Sequence, residues 1–393
     1  MKRKAVFVVM DSITQKLDLE ILSVINPSCE SVLTKRDFET LALKIFRYQF
    51  KKNTHYRQFC LMEHKPPKSV KRWRDIPAIP AVGFKELTLS TFPIKRAVKV
   101  FKTSGTTGRE ASASTTSTPA WRQGRDAPIH GAHFFDSLKL YEAAILPSFR
   151  RYLMPDGEDL LFYFLTHSPK DAPHSSLSYM MGVVNHAFAG GKGKFYVKKN
   201  EIQFKSLADD LKAAQRSVLI LSTAFGIKSF LDYLSSHKIS FRLPVGSRLM
   251  ETGGFKGSMN VVSRNKLYSL CKRRLGIPKN HCVSEYGMTE LSSQFYDTTL
   301  RDKMDGISRK PIKQGPAWTR TLVIDPKTSQ ETKKGRVGSL RHFDLANRGS
   351  VIAIQTEDLG REVDGGFELL GRAKGSPLRG CSLSYEEFLH APK

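Results

Sequence analysis

Apolar residues along this chain fall into short continuous runs that alternate with stretches of helical spacing. Residues 35–60 place aliphatic and aromatic side chains on one helix face, and prolines between residues 66 and 80 interrupt that pattern. The first 95 residues are therefore predicted to form a helical N-terminal segment (1–95).

Beyond residue 95 the pattern predicts strands connected by helices. The predicted strands are 97–102, 159–166, 217–222, 320–325 and 350–356. The predicted helices are 137–153, 204–215, 225–236 and 258–275, with Gly276 as the residue that ends the last one. Such alternation is typical of an α/β domain with a largely parallel or mixed sheet. We predict that this domain spans 96–370 and that 371–393 forms a short C-terminal tail.

The segment 109–130 fits neither pattern, because it has no periodicity and almost no apolar side chains. A composition of this kind cannot bury enough apolar surface to offset the entropy of ordering the chain. The segment is predicted to be a disordered insertion in the domain, with a mobile lid as the alternative.

Charge and cysteine content narrow the class of protein. The chain has 393 residues and a formal net charge of +26, with basic residues spread along its whole length. No zinc-finger, RRM or helix-turn-helix signature accompanies them, so we interpret the charge as a solvated surface that favours anionic substrates over nucleic acid. No apolar run is long enough to span a bilayer. Five cysteines without disulfide or metal-site spacing favour a reducing, cytoplasmic location, where four of them would pack as small apolar side chains.

A stretch rich in hydroxyl groups follows the predicted strand 97–102. Its residues are Thr103, Ser104, Gly105, Thr106, Thr107 and Gly108. The glycines permit a tight turn, and backbone N–H groups and hydroxyls can then donate to phosphate oxygens. No Gly-Lys-Ser/Thr sequence closes the stretch, so it is not a Walker A loop. It is predicted to bind phosphates, with an ordinary polar turn as the alternative.

Two further glycine-containing stretches carry aromatic and charged side chains. Residues 251–257 form a second predicted turn, which contains Gly253, Gly254 and Lys256. Residues 284–290 read Ser-Glu-Tyr-Gly-Met-Thr-Glu, and Tyr286 offers a stacking face and a hydroxyl. Glu290 is an oxygen ligand of the kind that Mg²⁺ takes beside phosphates.

The last part of the sequence adds a carboxylate, an arginine and a cysteine. A predicted strand leads into Asp358, which could accept both hydroxyls of a ribose, and Gly371-Arg372 follows. Cys381 lies close to Arg379, and this cation would favour the thiolate form of the cysteine. Packing as a buried small side chain is the alternative for Cys381.

These motifs, in this order, resemble the adenylate-forming (acyl-CoA synthetase-like) superfamily. The stretches 251–257, 285–297 and 378–383, together with 81–87 and 343–347, are similar to the LuxE-type acyl-protein synthetase family. The similarity runs from about residue 38 to the C-terminus and leaves out 109–130. It implies a large adenylate-forming domain with mixed sheets and flanking helices, and a truncated C-terminal domain.

The resemblance also implies a role for each motif, with ATP and Mg²⁺ as cofactors. Thr103–Gly108 would grip the ATP phosphates. Glu290 and Thr289 would be catalytic residues, and Glu290 would hold Mg²⁺. Cys381 would accept the acyl group as a thioester and pass it to an acyl-protein reductase partner. The remaining residues assigned to the nucleotide and acyl-adenylate site are Gly253, Gly254, Tyr286, Gly287, Met288, Asp358 and Arg372.

The sequence departs from the superfamily at one catalytic position. The superfamily's C-terminal domain carries a lysine that has no counterpart in this chain, so we expect Lys256 or Lys374 to supply the missing cation. The predicted function is ATP-dependent activation of a fatty acid, or a related carboxylic acid, as acyl-AMP, followed by transfer to a cysteine thiol. Two alternatives stay open: a ligase whose acceptor is coenzyme A or a carrier protein, and a non-catalytic basic protein that binds nucleic acid or another anionic surface.

Overall fold

The computed structural model describes residues 11–26, 33–103, 131–199, 201–253 and 263–372. The predicted insertion 109–130 and all but the first two residues of the predicted tail lie outside these ranges.

Helices are distributed along most of the described part of the chain. In chain order they are α1 (Ser12–Ile25), α2 (Lys35–Lys52), α3 (Thr54–Met62), α4 (Gly83–Glu86), α5 (Lys139–Leu153), α6 (Ser176–Ala189), α7 (Phe204–Ala213), α8 (Ala224–Ser236), α9 (Arg264–Leu275) and α10 (Thr299–Met304).

The strands follow in the same order. They are β1 (Ile79–Pro80), β2 (Lys99–Lys102), β3 (Ala132–Phe135), β4 (Leu161–Leu165), β5 (Lys194–Phe195), β6 (Val197–Lys198), β7 (Glu201–Ile202), β8 (Val218–Thr223), β9 (Arg248–Thr252), β10 (Cys282–Tyr286), β11 (Phe295–Asp297), β12 (Lys313–Gln314), β13 (Thr319–Ile324), β14 (Val337–Asp344), β15 (Ala353–Val363) and β16 (Gly366–Arg372).

One mixed sheet dominates the described part of the molecule. Its strand order is β13-β14-β15-β16-β12-β11-β10-β9-β8-β4-β5, and β1 pairs with β15. The strands β10, β9, β8, β4 and β5 are mutually parallel, whereas pairing from β10 through β11 to β13 is antiparallel. The parallel strands β4, β8, β9 and β10 therefore end at one common edge, where open α/β sheets generally bind ligands.

Helices cover both faces of the parallel strands. Side chains of β8 alternate, so that Leu219 and Leu221 join an apolar cluster with α5 and α6, while Val218 and Ile220 join a second cluster with α7, α8 and α9. Burial on both faces explains why this strand is a continuous apolar run in the sequence.

The N-terminal helices pack on the antiparallel part of the sheet. Phe38 and Phe46 of α2 share an apolar cluster with Phe343 of β14 and Ile354 of β15. A buried arginine adds a polar connection, because the Arg348 guanidinium forms ion pairs with Asp18 of α1 at 2.7 Å and with Asp136, which follows β3, at 2.9 Å.

The structure confirms the α/β class and the mixed sheet. The predicted helix 258–275 begins at Arg264, with Ser263 as its N-cap, and ends at Gly276 with a φ of 75°, the left-handed conformation that glycine adopts without strain. The single helical stretch expected over 35–60 was wrong in one respect. It divides at Asn53, because the Asn53 side chain accepts a hydrogen bond from the Tyr56 amide and so starts α3 as a new helix.

The predicted strand 350–356 also needs correction. The observed strand β15 starts at Ala353 and runs on to Val363. Its second half pairs with β14 on one side and with β16 on the other. The β15–β16 hairpin turns at Asp364-Gly365, where Gly365 has a φ of 81°.

Candidate active site

The base of the predicted phosphate loop is held by an antiparallel strand pair. β2 pairs with β3, with Lys102 opposite Ala132. The amide of the buried Thr103 donates to the Gly131 carbonyl at 2.7 Å, and the Gly131 amide donates to the Phe84 carbonyl at 3.0 Å. The chain thus leaves the sheet at Thr103 and returns at Gly131, close to its point of departure.

Thr289 connects this loop base to the second motif. Its carbonyl lies 2.8 Å from Nδ1 of His133 on β3, and its hydroxyl lies 3.3 Å from the Ser176 hydroxyl at the start of α6. The same hydroxyl lies 3.5 Å from the Lys102 carbonyl. The structure therefore brings the ends of two sequence-distant motifs, Thr103 and Thr289, to one place.

The segment that follows Glu290 is fixed by a buried carboxylate. Asp344 accepts hydrogen bonds from the amides of Ser292 and Ser293 at 3.0 and 2.8 Å, and Asn347 donates to the Glu290 carbonyl at 2.8 Å. Burial raises the pKa of Asp344 to about 6, against the lowering effect of these donors. The motif 343–347, which the sequence offered only as a family resemblance, thus anchors the Glu290 backbone.

Tyr286 and Arg372 meet at Asp358. The Tyr286 hydroxyl donates to Oδ2 of Asp358 at 2.8 Å, and Arg372 Nε donates to Oδ1 at 2.9 Å. His342 completes the group, because its Nε2 lies 3.3 Å from the Tyr286 hydroxyl and its Nδ1 lies 2.9 Å from the Thr321 hydroxyl. Burial lowers the pKa of His342 to about 4, so the ring is neutral at pH 7.

The environment of Tyr286 differs from the open stacking face that its sequence context suggests. Its side chain is buried, and its ring contacts Phe295, His342 and Phe367 at centroid distances of 5.9, 5.5 and 6.1 Å. Burial and the charge of Asp358 raise the pKa of the Tyr286 hydroxyl well above its usual value, so that it remains a hydrogen-bond donor.

Two local predictions are corrected by the strand boundaries. Asp358 lies in the middle of β15, opposite Arg372, and not at the end of a strand. Glu251 and Thr252 are the last residues of β9, and the turn begins at Gly253, which has a φ of 78°; among the described residues no atom lies within 4 Å of a Cβ built there. Gly253 and Gly287 therefore lie directly after β9 and β10, at the common edge of the parallel strands.

A row of buried polar side chains crosses the sheet below this edge, and the sequence did not predict it. Paired positions on neighbouring strands place Glu251, Ser284, Asp297 and Lys313 side by side across the sheet. Lys313 forms an ion pair with Asp297 at 3.2 Å, and burial lowers the pKa of this lysine. Arg264 Nε and the Tyr268 hydroxyl of α9 donate to Glu251 at 2.9 and 3.0 Å. The strand pattern alone could not reveal this row, because β11 and β12 are too short to show periodicity.

A second carboxylate missed in the sequence, Glu285, lies on the opposite face of β10. It is 5% exposed and accepts a hydrogen bond from the Thr252 hydroxyl. Burial raises the pKa of Glu285 to about 7.

Several predicted site residues lie outside the described ranges. These are Ser104, Gly105, Thr106, Thr107, Gly108, Gly254, Lys256, Lys374 and Cys381. Cys60, Cys271 and Cys282 are free and buried, as expected for small apolar side chains.

The described residues hold no group of three or more His, Cys, Asp or Glu side chains with the geometry of a metal site. Mg²⁺ is commonly bound through one or two carboxylates together with substrate phosphates, so a full protein cage is not required. A single carboxylate such as Glu290, which follows Thr289 in the chain, is compatible with that mode of binding, and its assignment to Mg²⁺ stays a prediction.

Two further structural findings bear on the site. A cleft of about 430 Å³ lies between α1–α3 and the segment 88–96, and none of the predicted site residues lines it. Among the helices of the described ranges, none combines the length and apolar character that a bilayer span requires.

Comparison with known proteins supports the resemblance seen in the motifs. The chain is 20% identical over 360 residues to a long-chain-fatty-acid–luciferin-component ligase of Vibrio harveyi, in an alignment that covers 88% of this chain and 86% of that protein. No protein-family model matches the chain.

Two solved structures of one ligase confirm the fold. A 2-hydroxyisobutyryl-CoA ligase in complex with 2-HIB-AMP superposes with a TM-score of 0.60 at 13% identity, over 85% of this chain and 67% of that chain. An open conformation of the same ligase, with 2-HIB-AMP and CoA, gives a TM-score of 0.60 at 14% identity, over 89% of this chain and 73% of that chain. ATP-bound MatB from Rhodopseudomonas palustris gives 0.47 at 13% identity, and this chain spans 49% of its length. The resemblance to LuxE-type ligases is confirmed, and the fold is that of the adenylate-forming ligases.

Proposed function

We propose that this protein activates a fatty acid, or a related carboxylic acid, with ATP and transfers the acyl group to the thiol of Cys381. One observation supports the proposal: the motif 284–290 connects the base of the predicted phosphate loop to Asp358. At one end Thr289 lies against Lys102, beside the base of the phosphate loop, and at the other Tyr286 donates to Asp358. The fatty-acid substrate is supported by the name of the Vibrio harveyi relative.

The chemistry consists of two substitutions. A carboxylate oxygen of the acid attacks the α-phosphorus of ATP, and the bond to pyrophosphate breaks. The Cys381 thiolate, which has lost its proton to solvent, then attacks the acyl carbonyl carbon, and the bond to AMP breaks. The first step needs stabilisation of charge on the phosphates, and the backbone N–H groups and hydroxyls that follow Thr103 are the donors we assign to it.

The described residues support specific roles in nucleotide binding. Asp358 is held between Tyr286 and Arg372, which fixes its carboxylate for the ribose hydroxyls. Glu290, whose backbone is anchored by Asn347, would hold Mg²⁺. When bound, Mg²⁺ supplies positive charge that offsets the charge developing on the phosphates. Lys256 and Lys374 remain the candidates for the additional cation.

The identity of the thiol that accepts the acyl group is the more specific part of the proposal. Transfer to Cys381 would yield an acyl-protein thioester, the form in which an acyl-protein reductase partner could receive the acyl group. Transfer to coenzyme A or to a carrier-protein thiol would use the same first step, so the two possibilities differ only in where the acyl group is found after the reaction.

The test is intact-protein mass spectrometry after incubation with Mg-ATP and a mixture of long-chain fatty acids. We expect an acyl-sized mass gain that hydroxylamine removes, that is absent in Cys381→Ser and that persists in Cys29→Ser, a matched control. Pyrophosphate release without any mass gain would move the acceptor to an external thiol. If ATP and acid are both present and neither a mass gain nor pyrophosphate release is detected, the result contradicts the proposed function.

A further inference from the structure

Glu285 is a buried carboxyl group that the proposed reaction does not use. It is the penultimate residue of β10 and is 5% exposed. Its neighbours in register are Thr252 at the end of β9 and Tyr296 on β11. It therefore lies on the parallel-strand edge, immediately before Tyr286 and Gly287.

The two carboxylate oxygens of Glu285 have different surroundings. Oε2 accepts a hydrogen bond from the Thr252 hydroxyl, and among the described residues Thr252 is the one hydrogen-bond donor to this carboxyl. Oε1 lies against the backbone of the next turn, since a Cβ placed on Gly287 would come within 2.5 Å of it. The absence of a side chain at Gly287 thus leaves room for Oε1 at the surface where we place the acyl-adenylate.

Tyr296 provides a second polar group on the same face of the sheet. Its side chain is completely buried, and its hydroxyl has no hydrogen-bond partner among the described residues. Burial raises the pKa of both Tyr296 and Tyr141, and the charge of Glu285 adds to both shifts, so the three groups are close enough to interact; neither tyrosine donates to Glu285. A buried hydroxyl without a partner is rare in folded proteins and is usually satisfied by a ligand or a water molecule.

The surroundings of this pair are otherwise apolar. The cluster that contains Tyr296 and Tyr141 also includes Phe101, Met181 and Leu221, which lie between α5, α6 and the sheet. Burial raises the pKa of Glu285 to about 7; Glu251 adds to the shift and Lys313 opposes it. A carboxyl group in such a place is a donor as well as an acceptor over much of the neutral range.

We propose that Glu285 and Tyr296 form a specificity pocket for a hydroxyl group on the α- or β-carbon of the carboxylic acid substrate. The substrate hydroxyl would accept from Tyr296 and donate to Glu285, so the Tyr296 hydroxyl gains the partner that it lacks among the described residues. We place this hydroxyl near the carboxyl end of the substrate because Oε1 of Glu285 lies against Gly287. Two residues later, Thr289 reaches the base of the predicted phosphate loop, where the carboxyl group would react. This inference rests on the proposed function and adds the class of acid, a hydroxylated acyl chain.

The experiment compares pyrophosphate release with tetradecanoic acid and with its α-hydroxy and β-hydroxy derivatives. A site built to bind a hydroxyl discriminates strongly against the analogue that lacks it. We expect kcat/KM for one hydroxy acid to exceed that for the plain acid by roughly tenfold or more. Tyr296→Phe and Glu285→Leu should bring this ratio close to one, mainly by loss of turnover of the hydroxy acid.

Controls separate a specificity role from a structural one. Tyr233→Phe, a tyrosine substitution on α8 away from this pocket, should keep the wild-type ratio. Equal kcat/KM for all three acids in the wild type would overturn the inference. So would variants in which the turnover of hydroxy and plain acids falls by the same factor, since that is the effect of a purely structural role.

The proposed function can fail without leaving this inference untested. If no acid supports pyrophosphate release, titration calorimetry of the same acids still measures the pocket directly. Tighter binding of a hydroxy acid that Tyr296→Phe abolishes would support the pocket, and equal dissociation constants would overturn it.

Discussion

At the residue scale, Asp358 determines how the ribose end of the proposed nucleotide site is organised. Both of its oxygens are engaged, one by the Tyr286 hydroxyl and one by Arg372. Because the Tyr286 hydroxyl donates to Asp358, a hydrogen bond from His342 to this hydroxyl requires the tautomer that carries its proton on Nε2, and Nδ1 then accepts from Thr321. The carboxylate is thus oriented before ligand binds, which lowers the entropy cost of binding.

Removal of the charge at this position should weaken nucleotide binding. Asp358→Asn should raise KM for ATP roughly tenfold to a hundredfold, because a hydrogen bond to a charged group contributes about 1.5–3 kcal/mol. Initial-rate kinetics at varied ATP measure the effect. Asp364→Asn is the control, since Asp364 is 94% exposed and forms an ion pair with Lys334 at the surface. An unchanged KM in Asp358→Asn would contradict the assignment of Asp358 to the ribose.

The raised pKa of Glu285 predicts that the stability of the folded protein depends on pH. Its folded-state pKa of about 7 lies above the ordinary 4.5, so the folded protein binds this proton more tightly than the unfolded chain does. Its contribution to stability is therefore complete below pH 4.5 and is lost as the pH rises through about 7. The charged and titratable groups near it are Glu251 of β9, Tyr141 of α5, Tyr296 of β11 and Lys313 of β12.

Glu285→Gln should abolish this pH dependence. Relative to the variant, the wild type should lose roughly 3 kcal/mol of unfolding free energy between about pH 4 and about pH 8. Urea denaturation across that range is the measurement, with Glu331→Gln as an exposed control. A constant difference between wild type and Glu285→Gln would show that the pKa of Glu285 is not raised in the folded state.

At the scale of elements, the sequence predicted those that are defined by local signals. Helix α9 ends at Gly276 because glycine adopts the left-handed C-terminal conformation, and a continuous apolar run identified β8. The β15–β16 hairpin was missed because the second half of β15 shows no apolar alternation, and pairing with both β14 and β16 stabilises this half. The Asp364-Gly365 turn was the available signal for that hairpin. Glu285 and Lys313 could not be found as site residues, because their environment depends on strand register.

The junction between the two parts of the sheet depends on Gly366. A Cβ on this residue would lie 2.1 Å from the Lys313 carbonyl oxygen, a backbone atom of β12. Gly366→Ala should therefore push β16 away from β12 and cost about 1–3 kcal/mol of unfolding free energy. Calorimetry measures the change, with Gly349→Ala as the control, because a Cβ there finds its nearest atom at 3.5 Å. An equal effect of both substitutions would contradict this account of the junction.

At the scale of the whole molecule, the N-terminal helices and the sheet form one packed unit. An apolar cluster joins α2 to β14 and β15, and the buried Arg348 joins α1 to the region of β3 through Asp18 and Asp136. The predicted division of the chain at residue 95 stays a prediction. The position of Arg348, one residue after Asn347, connects this packing to the segment that anchors Glu290.

The ion-paired arginine should matter for global stability. Arg348→Met leaves two carboxylates without their cation in a buried site, and breaking such a network typically costs about 3–5 kcal/mol. Chemical denaturation should show a loss of this size, whereas Arg336→Met, at an exposed position, should change little. A loss below about 1 kcal/mol in Arg348→Met would show that the carboxylates find other partners.

The central claim is that the protein forms an acyl-adenylate, and isotope exchange between pyrophosphate and ATP tests it most directly. The account predicts that label from pyrophosphate enters ATP only when a carboxylic acid is present, and that Asp358→Asn reduces the exchange. Exchange without any acid, or no exchange with any acid of the panel, would contradict it.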